Sequence, residues 1–342
     1  MLILGIETSC DETAAATVEN GTKVISGVVA SSQSMHAKFG GIIPDKAARE
    51  QLKSVIPVLH ETLSSGKIKK SQIDAIAVTV GPGLIGSLLV GVETAKSLAL
   101  AWHKPIVPVN HLIGHIYANW LTLPQTSGPQ LPTLPALVLL VSGGHTELIL
   151  VNDHSRFVLL GSTRDDAAGE CLDKCARLLN LGYPGGPAIE LAAQKLKTQN
   201  TEFKTKLPHP MINDKNLDFS FSGLKTAVAN LVRSAPGSEP QTSNLIAREL
   251  QEAITDVLVS KTIQAAEKHR PKSILLAGGV AANNRLREKL RSALSSRSPT
   301  TNLFVPPISL CTDNAAMIAS AACFNYKPLP PAKINTDPAL SV

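Results

Sequence analysis

His111 and His115 are the residues whose spacing most directly implies chemistry. The run His111-Leu112-Ile113-Gly114-His115 puts both imidazoles on one face of a helix, with Cβ atoms about 6 Å apart. Two imidazoles so placed can reach one metal ion. Their neighbours are apolar, which sets the pair near a buried surface. The same spacing arises when one histidine caps a helix and the other packs, and the pair alone leaves both readings open. A zinc-peptidase site is disfavoured: that motif needs a glutamate directly after the first histidine as general base, and the residue here is Leu112. A metal held without an adjacent base suits polarising or orienting a substrate.

Glycine turns are the second feature. Ser142-Gly143-Gly144 lies between two apolar runs, Gly185-Gly186 precedes a helix at Pro187, and Gly278-Gly279 follows Ile274 to Leu276. Glycine lets backbone N–H groups approach phosphate oxygens, and a helix N-terminus adds a favourable dipole. Tight turns need glycine for geometry alone, so each turn is weak by itself; three in one half of the chain point to a nucleotide. There is no Walker A sequence and no G-x-G-x-x-G after the first strand. The acidic residues Asp165, Asp166 and Asp173 form a third feature. Asp165 suits a helix N-cap; Asp173 falls inside a helix, where capping does not explain it.

Elements must position these groups. Leu2 to Ile6 is expected as a strand, Glu7 to Glu12 as a polar turn, and Thr13 to Val18 as the returning strand. Val24 to Ala30 follows a turn at Asn20-Gly21. An amphipathic helix is expected over Ala47 to Leu63, a strand over Ala75 to Val80, and a buried helix, apolar nearly all round, over Ile85 to Trp102. Ile106 to Val109 is a strand, and His111 opens the next helix. After a Pro-rich linker the opening pattern returns, with strands Ala136 to Val141 and Thr146 to Val151 and a third at Phe157 to Gly161. Helices follow near Asp165 to Asn180 and Pro187 to Lys197, then an irregular polar stretch over Thr198 to Ser222 and a helix over Ser243 to His269. Last come a strand Ser273 to Ala277, a helix Ala282 to Leu294, a strand Leu303 to Val305 and a helix Thr312 to Phe324 begun by Asp313.

The repeated hairpin-plus-strand suggests duplication, with chance recurrence of common hairpins as the alternative. Two similar α/β lobes around a cleft, with hairpin phosphate loops, point to the actin, Hsp70 and sugar-kinase (ASKHA) class. The expected division is 1–123 for an N-terminal lobe carrying the histidines, 124–135 for the linker, 136–324 for a C-terminal lobe with the nucleotide loops, and 325–342 for a loosely ordered tail.

Composition agrees with two compact lobes. The chain has 342 residues, 44% hydrophobic but only 4% aromatic, so its interior is built from Val, Ile, Leu and Ala, as in sheets covered by helices. Net charge is +6, which suits a nucleic-acid partner or means little. Five cysteines show no zinc-ribbon spacing and are expected as small buried side chains in a reducing compartment. The opening run is too short for a secretion signal, and no apolar run is read as reaching membrane-spanning length, so the expectation is a cytoplasmic protein with no membrane partner.

Longer motifs carry a resemblance. Gly5-Ile6-Glu7-Thr8-Ser9-Cys10-Asp11-Glu12-Thr13, Val109-Asn110-His111 with Gly114-His115, Leu140-Val141-Ser142-Gly143-Gly144-His145-Thr146 and Asp165-Asp166-Ala167-Ala168-Gly169-Glu170 resemble the TsaD family of tRNA N6-adenosine threonylcarbamoyltransferases. So do Tyr183-Pro184-Gly185-Gly186-Pro187, Asp218 to Thr226, Ala277-Gly278-Gly279-Val280 with Asn283, and Cys311-Thr312-Asp313-Asn314. The resemblance runs from residue 2 to about residue 324, with the motifs in the family's order. It implies transfer of a threonylcarbamoyl group from threonylcarbamoyl-AMP to N6 of adenosine 37, beside the anticodon, in tRNAs reading codons that begin with A. AMP is released. It implies one divalent metal, Fe(II) or alternatively Zn(II), on His111, His115 and Asp313, the last then in the C-terminal lobe. Substrate contacts fall on Leu140, Val141, Ser142, Gly143, Gly144, Asp173, Gly186 and Asn283, with Asp173 and Asn283 on ribose and adenine. Implied partners are tRNA, a smaller paralogous protein (TsaB) and a separate P-loop ATPase (TsaE).

Some positions depart from the family pattern. Its His-x-x-Tyr-Gly-Gly segment reads His36 to Gly41 with Phe39 for the tyrosine. Its Pro-Glu-x-Ala-Ser-Arg-x-His reads Pro44 to Gln51, with Asp45, Ala48 and Gln51 for the glutamate, serine and histidine. The contacts of that segment are thereby in doubt. Leu140 stands where archaeal and eukaryotic relatives place tyrosine, which resembles the bacterial branch. Asp11 and Glu12 are given no catalytic step.

Overall fold

Strand β1 (Leu2–Glu7) is buried on both sides from Ile3 onward, which is why its sequence is a nearly unbroken apolar run rather than an alternation. It pairs antiparallel with β2 (Glu12–Glu19), and β2 with β3 (Lys23–Ser31). Asn20 and Gly21, both at positive φ, turn the β2–β3 hairpin. Next come α1 (Gln33–Ala37), α2 (Pro44–Ser65), β4 (Ala75–Gly81), α3 (Ile85–Trp102), β5 (Ile106–Asn110) and α4 (His111–Tyr117). Strand β4 is parallel to β1 and β5 parallel to β4, giving the order β3-β2-β1-β4-β5. Helix α2 starts earlier than its apolar pattern because Pro44 sits in its first turn, where a missing N–H costs nothing. This computed structural model describes residues 1–37, 41–123, 130–196, 206–234, 240–297 and 300–342.

The second sheet repeats the first. Strands β6 (Ala136–Val141), β7 (Thr146–Asp153) and β8 (Arg156–Ser162) form an antiparallel meander, and β9 (Ser273–Ala277) and β10 (Asn302–Phe304) add in parallel beside β6. Taken from β8, the order is β8-β7-β6-β9-β10, the same plan as the first sheet. Its helices are α5 (Ala168–Leu178), α6 (Gly185–Gln194), α7 (Ser222–Ser234), α8 (Pro240–His269) and α9 (Asn284–Arg297). Helix α7 is a correction: the polar composition around residue 220 hides it, because its start is capped by a residue far away in sequence. Residues 124–129 of the expected linker, the last residue of the helix expected to end at Lys197, and residues 198–205 of the expected irregular stretch lie outside the described residues.

The chain then rejoins the first sheet. Helices α10 (Ile308–Cys311) and α11 (Ala315–Phe324) follow β10, and α11 packs on β1, β2 and α4. The compact units are therefore Met1–Pro132 with Pro306–Val342, and Thr133–Val305. This corrects the expectation that Asp313 belongs to the second lobe: eight residues of α11, Ala315 to Ala322, are buried in the first unit. The tail is not loose. Leu329 N–H donates to Ile106 O at 2.9 Å, Asp337 N–H donates to Val80 O at 2.8 Å, and Ile334 is buried. Backbone partners along β4 and β5, invisible in a Pro-rich composition, hold it.

Helix α3 needs a further correction. At 18 residues with mean hydropathy 1.2 it just reaches membrane-spanning length and apolarity. It lies against β4 and α2, with Leu88, Val92, Ala95 and Ala99 buried. Only that face is covered: Ile85 and Leu89 remain exposed, beside exposed Leu52 and Ile56 of α2. Cys171, Cys175 and Cys311 are buried as expected, while Cys10 and Cys323 are partly exposed; all five thiols are free.

Candidate metal centre and nucleotide loops

Helix α4 begins where it does because Asn110 caps it. The Asn110 side-chain oxygen accepts from the Leu112 N–H at 2.8 Å, which satisfies a backbone donor the helix cannot. His111 is therefore the first helical residue and His115 lies one turn on. Gly114 faces α11, where a Cβ would come within 2.6 Å of Ile318, so the two helices approach closely there. The stacked rings of Tyr117 and Phe324, 5.2 Å apart, fix the same pair of helices further along.

Asp313 lies two residues before α11, just ahead of its cap. The cap is Asn314, whose side-chain oxygen accepts from the Met317 N–H at 3.0 Å. Asp313 was expected to begin this helix. With Asn314 in that role, its carboxylate turns to the histidines: Oδ1 is 3.2 Å from His115 Nε2 and 3.5 Å from His111 Nε2. Two donors about 2.1 Å from one tetrahedral ion lie roughly 3.4 Å apart, so these separations suit a shared cation. Among the described residues this is the one group of three His, Cys, Asp or Glu side chains that could hold a metal.

The electrostatics follow from burial and neighbours. Burial opposes charge on His111, but Asp313 and Glu7 outweigh it and push the imidazole up to about 9. Burial opposes charge on Asp313 as well, yet His111 and His115 bring its carboxyl down to about 2. Glu7, expected in a polar turn, is the last residue of β1 and fully buried. Burial would raise its carboxyl, but the charge and hydrogen bond of His111 hold it below the ordinary value. Burial pushes Glu12 up to about 10, reinforced by Asp313 and Asp11.

Sequence reasoning missed how deeply Glu7 is engaged. The signal was there: a glutamate ending an apolar strand has a buried charge to satisfy. Gln51, where the family carries histidine, is also buried, and its Nε2 lies 3.2, 3.0 and 3.1 Å from the carbonyls of Thr8, Cys10 and Glu12. It secures the backbone of the loop after β1. Asp45 is exposed and pairs with Arg49; Ala48 is half-buried; Phe39 lies outside the described residues.

The glycine loops form a second cluster, within Thr133–Val305. Leu140 and Val141 end β6 and are fully buried, so neither offers its side chain to a ligand. The following turn is closed by Ser142 N–H to His145 O at 2.8 Å, and the space beside Gly143 and Gly144 is open. Gly169, at the start of α5, donates its N–H to Ser142 O at 3.2 Å. Gly278, at φ 87°, lies so close to Val141 that a Cβ would sit 2.4 Å from its carbonyl oxygen, a position only glycine fills. These loops gather at the C-terminal ends of β6 and β9, where open α/β sheets bind ligands.

Asp173 and Asn283 have structural partners. Asp173 Oδ1 accepts from Gly185 N–H at 2.6 Å, so α5 caps α6; burial raises its carboxyl above the ordinary value. A Cβ at Gly186, next in α6, would meet only the Leu172 side chain at 4.0 Å, an ordinary contact. Asn283 donates from Nδ2 to Gln251 at 3.1 Å and accepts from the Leu286 N–H at 2.9 Å, leaving chiefly its second N–H for a ligand. Asp165 does not cap its own helix as expected. It accepts from Phe221 N–H, Ser222 N–H and the hydroxyls of Ser220 and Ser222, and so caps α7.

Solved structures share this architecture. Component A of the (R)-2-hydroxyglutaryl-CoA dehydratase of Acidaminococcus fermentans matches with TM-score 0.51 at 14% identity, covering 97% of this chain and all of that one. HypF of T. kodakarensis matches at 0.57 and 15% identity, over 95% of this chain and 47% of that one. At such identities the likeness is one of fold, and the fold is of the actin, Hsp70 and sugar-kinase class. Sequence says more. Relatives called tRNA N6-adenosine threonylcarbamoyltransferase are 49% identical in Thermomicrobium roseum, over 95% of this chain and 92% of theirs, and 48% identical in Moorella thermoacetica, over 99% and 96%. The family profile of that description spans residues 23–320, and with this breadth of agreement the chain belongs to the TsaD family of tRNA N6-adenosine threonylcarbamoyltransferases.

Proposed function

We propose that this transferase moves the threonylcarbamoyl group of threonylcarbamoyl-AMP to N6 of adenosine 37 in tRNAs reading codons that begin with A, releasing AMP. It does so with one divalent ion, Fe(II) or alternatively Zn(II), on His111, His115 and Asp313. The observation that carries the metal part is the approach of both Nε2 atoms to the same Asp313 oxygen, at 3.2 and 3.5 Å. Two imidazoles and one carboxylate are a donor set for either metal and leave coordination positions open. A bound ion supplies a Lewis acid for the threonylcarbamoyl carbonyl, which a weakly nucleophilic aromatic amine needs.

The chain's own residues do the rest. The open turn at Ser142-Gly143-Gly144 offers backbone donors to the acyl phosphate. Gly186 lets α6 approach the ribose, and Asp173 and Asn283 orient the nucleoside with the polar atoms their structural bonds leave over. AMP is a good leaving group, so no covalent intermediate on the protein is needed. The proposed partners are the smaller paralogue TsaB and the ATPase TsaE. The exposed apolar face of α2 and α3 supports a protein partner there.

A reconstituted assay tests this reading. Threonylcarbamoyl-AMP, tRNA, TsaB, TsaE and this chain are combined, and nucleosides of the digested tRNA are separated by mass. The expected result is threonylcarbamoyladenosine at position 37 with equimolar AMP. Unmodified tRNA under conditions where a known relative is active would sink the proposal.

A further inference from the structure

Glu7 meets the candidate metal centre from behind. Its carboxylate is fully buried. Oε1 accepts from Ser9 N–H at 2.5 Å, and Oε2 accepts from the Thr79 hydroxyl. Oε2 also lies 3.1 Å from His111 Nδ1. An ionised carboxylate only accepts hydrogen bonds, so Nδ1 must carry the proton. In the neutral ring that a cation requires, the lone pair of His111 is then on Nε2, the atom that faces Asp313 at 3.5 Å. Glu7 is on the far side of the ring from that group and is not one of the three converging ligands.

The two histidines differ in this respect. His115 Nδ1 is buried and has no hydrogen-bond partner among the described residues. His111 is held by Glu7 and by Ser9 Oγ at 3.2 Å. Ser9 Oγ can accept or donate, so it does not choose a tautomer; the carboxylate does. Thr79 on β4 and the Ser9 amide in turn pin the carboxylate, so the orientation of the ring is tied to the sheet.

We propose that Glu7 is a positioning residue for the metal centre, fixing the Nδ1–H tautomer and ring plane of His111 so that Nε2 is presented to the cation. This rests on the metal reading above. It assigns Glu7 no contact with the ion or the substrate. An outer partner of this kind typically contributes 10–100-fold in metal affinity.

The test uses the full chain and Co(II) alone, whose visible spectrum reports coordination geometry. Affinity is measured by competition with a chromophoric chelator. Glu7→Gln, which can offer His111 either a donor or an acceptor, should bind Co(II) roughly 10–100-fold more weakly with altered absorption bands. In nitrogen NMR of the Zn(II)-loaded unaltered chain, His111 should show a protonated, hydrogen-bonded Nδ1; this needs no variant and stands if Glu7→Gln fails to fold. Wild-type affinity and spectrum in a folded Glu7→Gln, or an unprotonated His111 Nδ1, overturns the role of Glu7 alone. An unaltered chain that takes up no Co(II), or that binds it equally after His111→Ala, overturns the metal reading and this one with it.

Discussion

At the scale of single residues, the site is made by side chains that lack a local role. Asp313 is released by Asn314, which takes the cap of α11, and His111 and His115 are aligned by Asn110, which takes the cap of α4. Removing a ligand should cost more than removing an outer partner. His111→Ala and Asp313→Asn should each lower bound divalent ion, measured by elemental analysis after dialysis, and cut tRNA modification by more than the roughly 10–100-fold of an outer partner. Full ion content and full activity in either variant would contradict the assignment. Asp165 gives a second, independent prediction. Its carboxylate accepts four hydrogen bonds at the start of α7. Burial acts to raise its carboxyl, but the bonds from Ser220, Phe221 and Ser222 outweigh it and hold the group below its ordinary value. Such a group stabilises the fold above its unfolded value of about 3.9, and that stability is lost as pH falls through the lower folded value. Asp165→Ala should cost about 1 kcal/mol near neutral pH, a fall of roughly 2–4 °C in melting temperature. The gap from the unaltered chain should close as pH falls below about 4. Equal gaps at pH 7 and pH 3 would contradict it.

At the scale of elements, the sequence was legible where one element satisfies itself and illegible where a distant one satisfies it. The helix expected over Ile85 to Trp102 and the strand over Ser273 to Ala277 match in extent, because apolar runs bounded by turn residues leave little choice. The start of α7 was hidden because its cap, Asp165, lies more than fifty residues upstream. The ordered tail was hidden because its partners are backbone atoms of β4 and β5. The metal trio was half legible: the histidine pair shows in its spacing, while Asp313 is about 200 residues away and came only through family resemblance. The exposed half of α3 was also missed, since an apolar helix reads alike whether covered by its own chain or by another. That face gives a prediction. Leu52 and Ile56 of α2 are 63% and 61% exposed beside Ile85 and Leu89 of α3. The double variant Leu52→Asp with Ile56→Asp should keep its melting temperature, because neither side chain is in the core, yet stop co-eluting with the smaller paralogous partner. Undiminished co-elution would remove this face from the proposal.

At the scale of the whole molecule, the two sheets share one plan but not one continuity. The second unit is a single stretch, Thr133–Val305, whereas the first is completed only by residues 306–342. Those residues bring α11, which is buried against β1, β2 and α4, and the Ser320 hydroxyl donates to Gly21 O at 2.6 Å across the same interface. Fully burying one Met or Ile side chain contributes roughly 1.5–3 kcal/mol, and α11 buries Met317 and Ile318 completely, with five alanines besides. Against a typical net stability of 5–15 kcal/mol for a domain, the first unit cannot lose this helix and keep its core. Residues 1–132 alone should therefore show no cooperative unfolding transition in urea, followed by circular dichroism, and should gain one when 306–342 is supplied as a separate peptide. Residues 133–305 should unfold cooperatively by themselves. A cooperative transition in 1–132 without the peptide would mean that the sheet closes on its own. Asp313 would then be an addition to a finished unit, whereas the packing of α11 makes the step that completes the core the same step that brings Asp313 to His111 and His115.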